Sequence, residues 1–216
     1  SDIKKLKQVN GLFMSINTAK YQDFEKQGYK KIFGNSKEEL YVDHQKYILS
    51  VKSSLPDHIE AFEVENKIIK TMIKESQKVI SLNCGNGILE MNLPQEVVAI
   101  DNKKENIEDA TYNAKALGKD NIRFVYGDSL KKMVPFAKKK DYDTVIIRGI
   151  NRISDELKDT LRLGKVKTVI YVNSSTSMLA KDLQELSKYY KVIEIKAVDS
   201  HIYQSYVTSI VKLIKK

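Results

Sequence analysis

The sequence predicts an α/β fold with a doubly wound, mostly parallel sheet. Short apolar runs at 79–82, 97–100 and 122–126 each end in polar or glycine-containing turns, and helical spacing of apolar residues separates the second run from the third. Short strands that alternate with helices are typical of parallel sheets. Ligands bind such sheets at the carboxyl ends of the strands, next to a topological switch point. We therefore expect functional residues directly after the strands.

The N-terminal segment predicts a small antiparallel β appendage at 1–54, followed by a main domain at 55–216. Short polar turns separate its strand-like segments, which lie at 9–16, 29–33, 39–42 and 47–51. Pro56 and Asp57 then begin a predicted helix that runs to about Glu75 and carries a mostly one-sided apolar stripe. This helix leads directly into the first strand of the main sheet.

The main domain continues as alternating helices and strands. Beyond the three runs above, the predicted strands lie at 142–147, 167–172, 191–198 and 206–213. The predicted helices lie at 103–117, 129–137, 153–163 and 176–189, with Ser129 as a candidate cap. No helix separates the last two strands, so we expect them to pair antiparallel. A mostly parallel sheet with a final antiparallel strand is similar to the Rossmann-like fold of class I methyltransferases.

The first strand ends in a glycine-rich turn, at which Gly85 and Gly87 permit positive φ and close approach of the backbone to a ligand. Asp101 ends the next strand and can accept the hydroxyls of a ribose, and Asp128 follows one strand later. Gly-x-Gly alone is equally typical of a tight structural turn, but the two acids favour a nucleoside site. The candidate cofactor-binding residues are Asn83, Cys84, Gly85, Asn86, Gly87, Asp101, Asn102, Asp128 and Ser129.

Position 90 distinguishes between two nucleoside-containing cofactors. The dinucleotide pattern Gly-x-Gly-x-x-Gly needs a third glycine there, and this chain has Glu90. S-adenosyl-L-methionine is therefore a better prediction than a nicotinamide cofactor.

The composition bounds the class of protein and its partners. With 216 residues, of which 42% are hydrophobic and 30% charged, the chain can form one sizeable domain with an appendage. The net charge of +9 favours a polyanionic partner such as RNA, although a lysine-rich genome can give the same excess. No apolar stretch approaches the roughly 20 residues of a membrane span. We expect no membrane association.

Cysteine and histidine usage argues against a metal site or a disulfide framework. The single cysteine suits a reducing compartment, and we expect an intracellular, cytoplasmic protein, with an organelle as the open alternative. His44, His58 and His201 lack metal-ligand spacing, and of these only His201 is kept as a ligand candidate. The run Lys138 to Lys140 predicts a solvated loop, with phosphate contact as the alternative.

Several motifs resemble the catalytic domain of the RNA uracil-5-methyltransferases, the family that acts on tRNA and 23S rRNA. They are Leu82 to Gly87, Asp101, Ala110 to Ala114, Gly127-Asp128, Tyr142-Asp143, Tyr171 to Ser174, Leu179 to Leu183 and Asp199. The family reads Leu-x-Cys-Gly-x-Gly, then Tyr-Val-Ser-Cys-Asn-Pro with Leu-Ala-Arg-Asp-Leu, and then Asp before its last strand. The resemblance spans most of the chain and implies S-adenosyl-L-methionine as cofactor and tRNA or rRNA as partner.

This chain departs from the family at the residues that carry out the family's reaction. The family adds a cysteine thiolate to carbon-6 of uracil and removes the carbon-5 proton with a glutamate. Ser174 stands at the nucleophile position and Thr208 at the base position. A serine hydroxyl without an adjacent base is hardly ionised near neutral pH, and threonine cannot serve as the base.

Further departures lie around the predicted pocket. Arg148 replaces the acid of the family's Asp-Pro-Pro-Arg motif, Ser81 stands where the first strand has Asp, and Leu55-Pro56 falls where a Phe-Gln pair contacts the cofactor. Cys84 lies in the glycine-rich turn, on the cofactor side, and is predicted to be structural. The departures together predict a protein without uracil-5 methylation.

Three functional hypotheses follow. The first is a degenerate family member, a pseudoenzyme with an RNA-binding or scaffold role and a protein partner in a ribonucleoprotein assembly. The second is an active S-adenosyl-L-methionine-dependent RNA methyltransferase that acts by positioning and forms no covalent enzyme intermediate. The third, a protein-interaction module with incidental charge, differs from both in lacking salt-dependent RNA binding.

Overall fold

A computed structural model describes residues 3, 6, 9–15, 28–138, 141–150, 152–200 and 207–216. Contacts divide the chain into two compact units, Ser1–Ser53 and Ser54–Lys216. Several sequence predictions fall outside the described residues: those at Ile16, Lys139, Lys140, His201 and Tyr206. No helix within the described ranges is long and apolar enough to cross a membrane.

The first unit consists of two antiparallel hairpins. Strand β1 (Gly11–Met14) pairs with β2 (Lys30–Gly34), and β3 (Lys37–Val42) pairs with β4 (Gln45–Ser50). Asp43 and His44 form the two-residue turn of the second hairpin, with φ of 48° and 63°. Two-residue hairpin turns need such left-handed conformations, which Asp and His tolerate better than most residues. His44 is accordingly an exposed turn residue.

The second unit contains a seven-stranded sheet in the order β10-β11-β9-β8-β5-β6-β7. Its strands are β5 (Lys78–Leu82), β6 (Glu96–Asp101), β7 (Ile122–Tyr126), β8 (Thr144–Ile147), β9 (Thr168–Asn173), β10 (Tyr190–Val198) and β11 (Thr208–Lys215). Strands β5 to β9 pair in parallel, and β11 runs antiparallel to both of its neighbours, β9 and β10. The predicted mostly parallel sheet with a final antiparallel strand is confirmed.

Helices cover both faces of this sheet. They are α1 (Ile59–Met72), α2 (Ile88–Met91), α3 (Lys104–Ala116), α4 (Ser129–Ala137), α5 (Asp155–Leu163) and α6 (Thr176–Leu186). One apolar cluster joins the sheet to α1 and α2, and the other joins it to α4, α5 and α6. Successive strand residues such as Val79 and Ile80 belong to opposite clusters, because side chains alternate across a sheet. The near-continuous apolar runs of the sequence reflect this two-sided burial.

The starts of α4 and α1 differ from their sequence predictions. Asp128, and not Ser129, caps α4, because its carboxylate accepts the Lys131 N–H at 2.9 Å. Helix α1 begins at Ile59, after the cap His58, because residues 56 and 57 remain outside the helix. The sequence gives no helical pattern for the four-residue helix α2, because all four of its residues are buried and none marks an exposed face.

The buried carboxylate of Asp182 joins α6 to β9 and to the segment before α5. Its Oδ2 accepts the Tyr171 hydroxyl at 2.8 Å and the Ile153 N–H at 3.0 Å. Burial and this carboxylate together raise the pKa of Tyr171, so that the phenol remains a donor. The Tyr-Val and Leu-Ala-x-Asp-Leu motifs of the sequence therefore meet in one structural contact.

Removal of this carboxylate should destabilise the fold. We expect Asp182→Ala to lower the free energy of unfolding by about 3 kcal/mol, because a buried phenol and a buried N–H lose a charged acceptor. Urea denaturation measures the change. Lys181→Ala, an exposed neighbour on the same helix, should change the value by no more than about 0.5 kcal/mol. Equal stability of the two variants would contradict the structural role of Asp182.

Candidate active site

The glycine-rich turn lies between β5 and α2, at the carboxyl edge of the sheet. Gly85 and Gly87 adopt φ of 60° and 73°. A Cβ atom at Gly87 would lie 2.5 Å from the Phe124 ring, whereas a Cβ at Gly85 would meet no atom within 4 Å. Gly87 is therefore required by both packing and conformation, while open space lies beside Gly85 for a ligand.

Asp101, at the end of β6, holds this turn from the neighbouring strand. Its Oδ2 accepts the Gly85 N–H at 2.8 Å, and its Oδ1 accepts the Lys103 N–H at 2.8 Å and an Asn106 amide N–H at 3.1 Å. The hydrogen bonds from the glycine turn and from residues 103 and 106 fix the orientation of the Asp101 carboxylate. A carboxylate oxygen offers about two acceptor sites, so an oxygen with one donor can also accept a ribose hydroxyl.

The segment that enters the second unit is fixed beside the same edge. Asn106 Oδ1 accepts the Ser54 N–H at 2.8 Å, and the Asn86 side-chain amide donates to the Ser54 carbonyl at 2.7 Å. Sequence reasoning predicted Asn86 but missed Ser54 and Asn106. The one available signal was the family resemblance, which places cofactor contacts at the adjacent Leu55-Pro56.

Asn83 and Ser129 connect the ends of three strands. The Ser129 hydroxyl donates to Asn83 Oδ1 at 2.6 Å, and the Asn83 amide donates to the Arg148 carbonyl at 3.1 Å. Asp128 is exposed and caps α4, and Asn102 is exposed after β6. Most of the predicted residues thus lie around one turn, with Asp128 and Asn102 at its periphery.

A buried ion pair lies behind the turn. Glu90 is 0% exposed, and its Oε1 accepts the Ser81 hydroxyl at 2.7 Å and Arg148 Nη2 at 2.8 Å. From the sequence alone, Ser81 and Arg148 are positions at which the family has an acid and this chain does not. Glu90 is only the residue that replaces the third glycine of the dinucleotide motif. The structure shows that Glu90 supplies a carboxylate beside the strand position at which the resemblance expects an acid.

Cys84 is buried within this charged environment. Burial, and then the neighbouring carboxylates of Glu90 and Asp101, raise the pKa of its thiol well above the ordinary value. A buried neutral thiol is a poor nucleophile. The environment supports the predicted structural role of Cys84.

A cavity of about 620 Å³ opens at the carboxyl ends of β8 and β9. The lining residues that matter for the chemistry are Asp57, His58, Glu65, Arg148, Asn173, Ser174 and Thr208. The hydroxyl oxygens of Ser174 and Thr208 lie 3.5 Å apart, and Thr208 also hydrogen-bonds Ser200. Ser174 and Thr208, the positions at which the resemblance predicts a nucleophile and a base, therefore meet in one cavity, and both carry hydroxyls.

Residues around α1 contribute charged and titratable groups that sequence reasoning missed. Asp57, His58 and Glu65 line the cavity. The Nδ1 atom of His58 accepts the Ala61 N–H at 3.2 Å and thereby caps α1. Only the fold brings these residues to the sheet edge, because they precede the first strand of the unit. No cluster of potential metal ligands occurs among the residues that the structure describes.

Asn173 connects the cavity to the Asp182 contact. Its side-chain amide donates to the Tyr171 hydroxyl at 2.6 Å, and its Oδ1 accepts the Ser175 N–H at 2.7 Å. The turn that carries Ser174 is therefore fixed by hydrogen bonds within a buried network.

The strand order, the glycine turn after β5 and the acid that ends β6 define a class I S-adenosyl-L-methionine-dependent methyltransferase fold. A methyltransferase domain model matches residues 73–213. The chain belongs to this methyltransferase domain family.

Two relatives are described as RNA methyltransferases. One, from Bacillus cereus, is 32% identical over 146 residues, which cover 65% of this chain and 32% of the relative. The other, from Streptococcus pneumoniae, is 27% identical over 222 residues, which cover 99% of this chain and 49% of the relative. The chain thus spans half or less of these relatives' length.

A solved structure shares the fold across nearly the whole chain. It is the Pyrococcus abyssi tRNA (uracil-54, C5)-methyltransferase in complex with S-adenosyl-L-homocysteine, with a TM-score of 0.79 and 20% sequence identity. The match covers 99% of this chain and 53% of that protein.

S-adenosyl-L-methionine is the cofactor that this domain implies, and the residues present fit it. Gly85 leaves open space beside the turn, and Asp101 is held in place with one acceptor site left on Oδ2 for a ribose hydroxyl. The cofactor supplies an electrophilic methyl group when bound. Asp101 and the glycine turn are the groups of this chain that would hold its nucleoside.

Replacement of Asp101 should weaken cofactor binding. We expect Asp101→Ala to lower S-adenosyl-L-methionine affinity at least tenfold, because it removes the acceptor and releases the Gly85 N–H. Isothermal calorimetry measures the affinity, and circular dichroism establishes that the variant is folded. Asp120→Ala, an exposed change after α3, serves as the control. Unchanged affinity of a folded Asp101→Ala variant would remove Asp101 from the site.

Proposed function

We propose that this chain binds S-adenosyl-L-methionine and RNA without performing uracil-5 methylation, as a binding or scaffold component of an RNA or ribonucleoprotein assembly. The observation that carries this proposal is the pair of hydroxyls, Ser174 and Thr208, in the cavity. The covalent route needs a thiolate for carbon-6 and a base for the carbon-5 proton. Two hydroxyls supply neither group.

The neighbourhood of Ser174 supports this proposal. Its hydroxyl lies near Thr208, whose own hydroxyl is bonded to Ser200, and these hydroxyls offer no base. Cys84 does not compensate, since it is buried with a raised thiol pKa on the cofactor side of the turn.

RNA as the partner is supported by the net charge of +9 and by the relatives described as RNA methyltransferases. The exposed side of α4 also carries basic side chains, namely Lys131, Lys132 and, at its end, Lys138. Backbone phosphates bind such surfaces with strong salt dependence.

The absence of uracil-5 chemistry can be measured directly. We expect the purified protein to form no 5-methyluridine on tRNA or 23S rRNA with S-adenosyl-L-methionine present, as measured by nucleoside mass spectrometry. An active uracil-5-methyltransferase serves as the positive control. Detection of 5-methyluridine above the background of untreated RNA would overturn the proposal.

RNA binding should be electrostatic. We expect the affinity for tRNA to fall about tenfold or more between about 50 and 200 mM salt, the decline that about two phosphate contacts give. Filter binding or fluorescence anisotropy measures it. A salt-independent affinity, or no binding at low salt, would favour a protein-interaction module.

A second function is favoured by a specific observation in the cavity. Glu65 lines it, and the described residues make no hydrogen bond or ion pair with its carboxylate. A carboxylate so placed can accept the proton that a ring nitrogen or exocyclic amine loses as it takes a methyl group. Such transfer needs positioning and no covalent enzyme intermediate. The chain would then be an active RNA methyltransferase.

Tritiated S-adenosyl-L-methionine distinguishes the two functions. Incorporation of label into total RNA, lost in Glu65→Gln and kept in Glu75→Gln, would support the active enzyme. Glu75 is an exposed residue beyond the end of α1 and gives a matched control. No incorporation into RNA that the protein demonstrably binds would favour the binding or scaffold role.

A further inference from the structure

Arg148 follows β8 and faces the cavity. Among the described residues that line the cavity, it alone carries a guanidinium or ammonium group. Its side chain is 15% exposed, so most of the charge is removed from bulk water. A cation in this position needs more hydrogen bonds and opposite charges than a surface cation does, because they must compensate for its lost solvation.

Hydrogen bonds to the described residues use only one of its nitrogens. Nη2 donates to Glu90 Oε1 at 2.8 Å and to the Cys84 carbonyl at 3.3 Å. Nε is buried without a hydrogen-bond partner in the described part of the chain, as is Oε2 of Glu90. Nη1 also makes no hydrogen bond with the described part of the chain and, unlike Nε, is not fully buried, so it can donate to a ligand in the cavity.

The position of Arg148 relative to Asp101 limits what that ligand is. Asp101 accepts the Gly85 N–H, and Arg148 donates to the Cys84 carbonyl, so the two side chains bind the two polar groups of one peptide unit. The N–H and C=O of a trans peptide point in opposite directions. Asp101 and Arg148 therefore flank the turn on opposite sides, which suits a ligand with a ribose at one end and an anionic group at the other.

We propose that the Arg148 guanidinium binds the carboxylate of the methionine part of S-adenosyl-L-methionine, with Glu90 as the positioning residue that holds it. This inference rests on the proposed cofactor binding. Guanidinium and carboxylate form charge-assisted hydrogen bonds that strengthen away from water. An RNA phosphate is a poorer match, because Arg148 is largely buried and bonded to the glycine turn itself.

Glu90 and Ser81 give this arrangement its rigidity. The Ser81 hydroxyl donates to the same oxygen of Glu90 that receives Arg148. The carboxylate is thereby held between a strand and the cavity-lining cation. Relative to the family that the sequence resembles, position 81 lacks an acid and position 148 carries a cation. In this arrangement Glu90 supplies the acid that pairs with Arg148.

The test compares two ligands that differ only at the amino-acid end. 5′-Methylthioadenosine keeps the adenosine and the thioether of S-adenosyl-L-homocysteine but lacks its carboxylate and ammonium. By isothermal calorimetry, we expect Arg148→Gln to weaken S-adenosyl-L-methionine and S-adenosyl-L-homocysteine at least tenfold, which corresponds to about 1.4 kcal/mol. Binding of 5′-methylthioadenosine should change less than about twofold.

Two further variants keep the test decisive. Arg152→Gln removes an exposed cation four residues away and should leave both affinities unchanged. Glu90→Gln combined with Arg148→Gln removes both buried charges together, so it avoids an unpaired carboxylate if the single variant fails to fold. The double variant should show the same loss for S-adenosyl-L-methionine and the same retention of 5′-methylthioadenosine.

Each alternative outcome has a distinct meaning. Unchanged S-adenosyl-L-methionine affinity in Arg148→Gln overturns this inference and leaves the proposed function standing. Equal weakening of both ligands shows a damaged turn and also overturns it, as does a loss confined to tRNA affinity, which would assign Arg148 to phosphate. If the unmodified protein binds neither adenosine ligand, the proposed cofactor binding fails and this inference fails with it.

Discussion

The hydrogen bond from the Gly85 N–H to Asp101 is the contact on which the rest of the site depends. It joins the turn after one central strand to the end of the next, and Asn106 and Asn86 extend it to the entering segment at Ser54. Because this turn needs positive φ at two glycines, its conformation is fixed by backbone and hydrogen bonds together. The open space beside Gly85 is therefore a stable feature of the fold.

Buried carboxylates organise both sides of the sheet edge. Glu90 lies behind the glycine turn and binds Ser81 and Arg148, while Asp182 lies behind the cavity and binds Tyr171 and the backbone at Ile153. Each receives donors from separate parts of the chain, so each carboxylate joins elements as well as satisfying its own charge. The motif residues Tyr171 and Asp182 thus contribute to packing through a buried hydrogen bond.

The cavity combines the methyltransferase fold with hydroxyl-bearing side chains. The strand order, glycine turn and acid of a class I methyltransferase are all present, and the hydroxyls of Ser174 and Thr208 lie together in the cavity. Function resides in the site and not in the fold, so the same sheet accommodates binding, scaffold or non-covalent transfer roles. Glu65, His58 and Arg148 supply ionisable groups to the lining of this cavity.

The sequence by itself determined the strand pattern, the antiparallel end of the sheet and the grouping of the glycine turn with Asp101, because each depends on local periodicity or on residues that end neighbouring strands. Only the tertiary structure decided that Glu90 supplies the acid missing at Ser81, and that Glu65 and His58 from around α1 line the cavity. Those contacts join residues on different elements, and no spacing rule connects them. A charge is assigned a role by what lies beside it after folding.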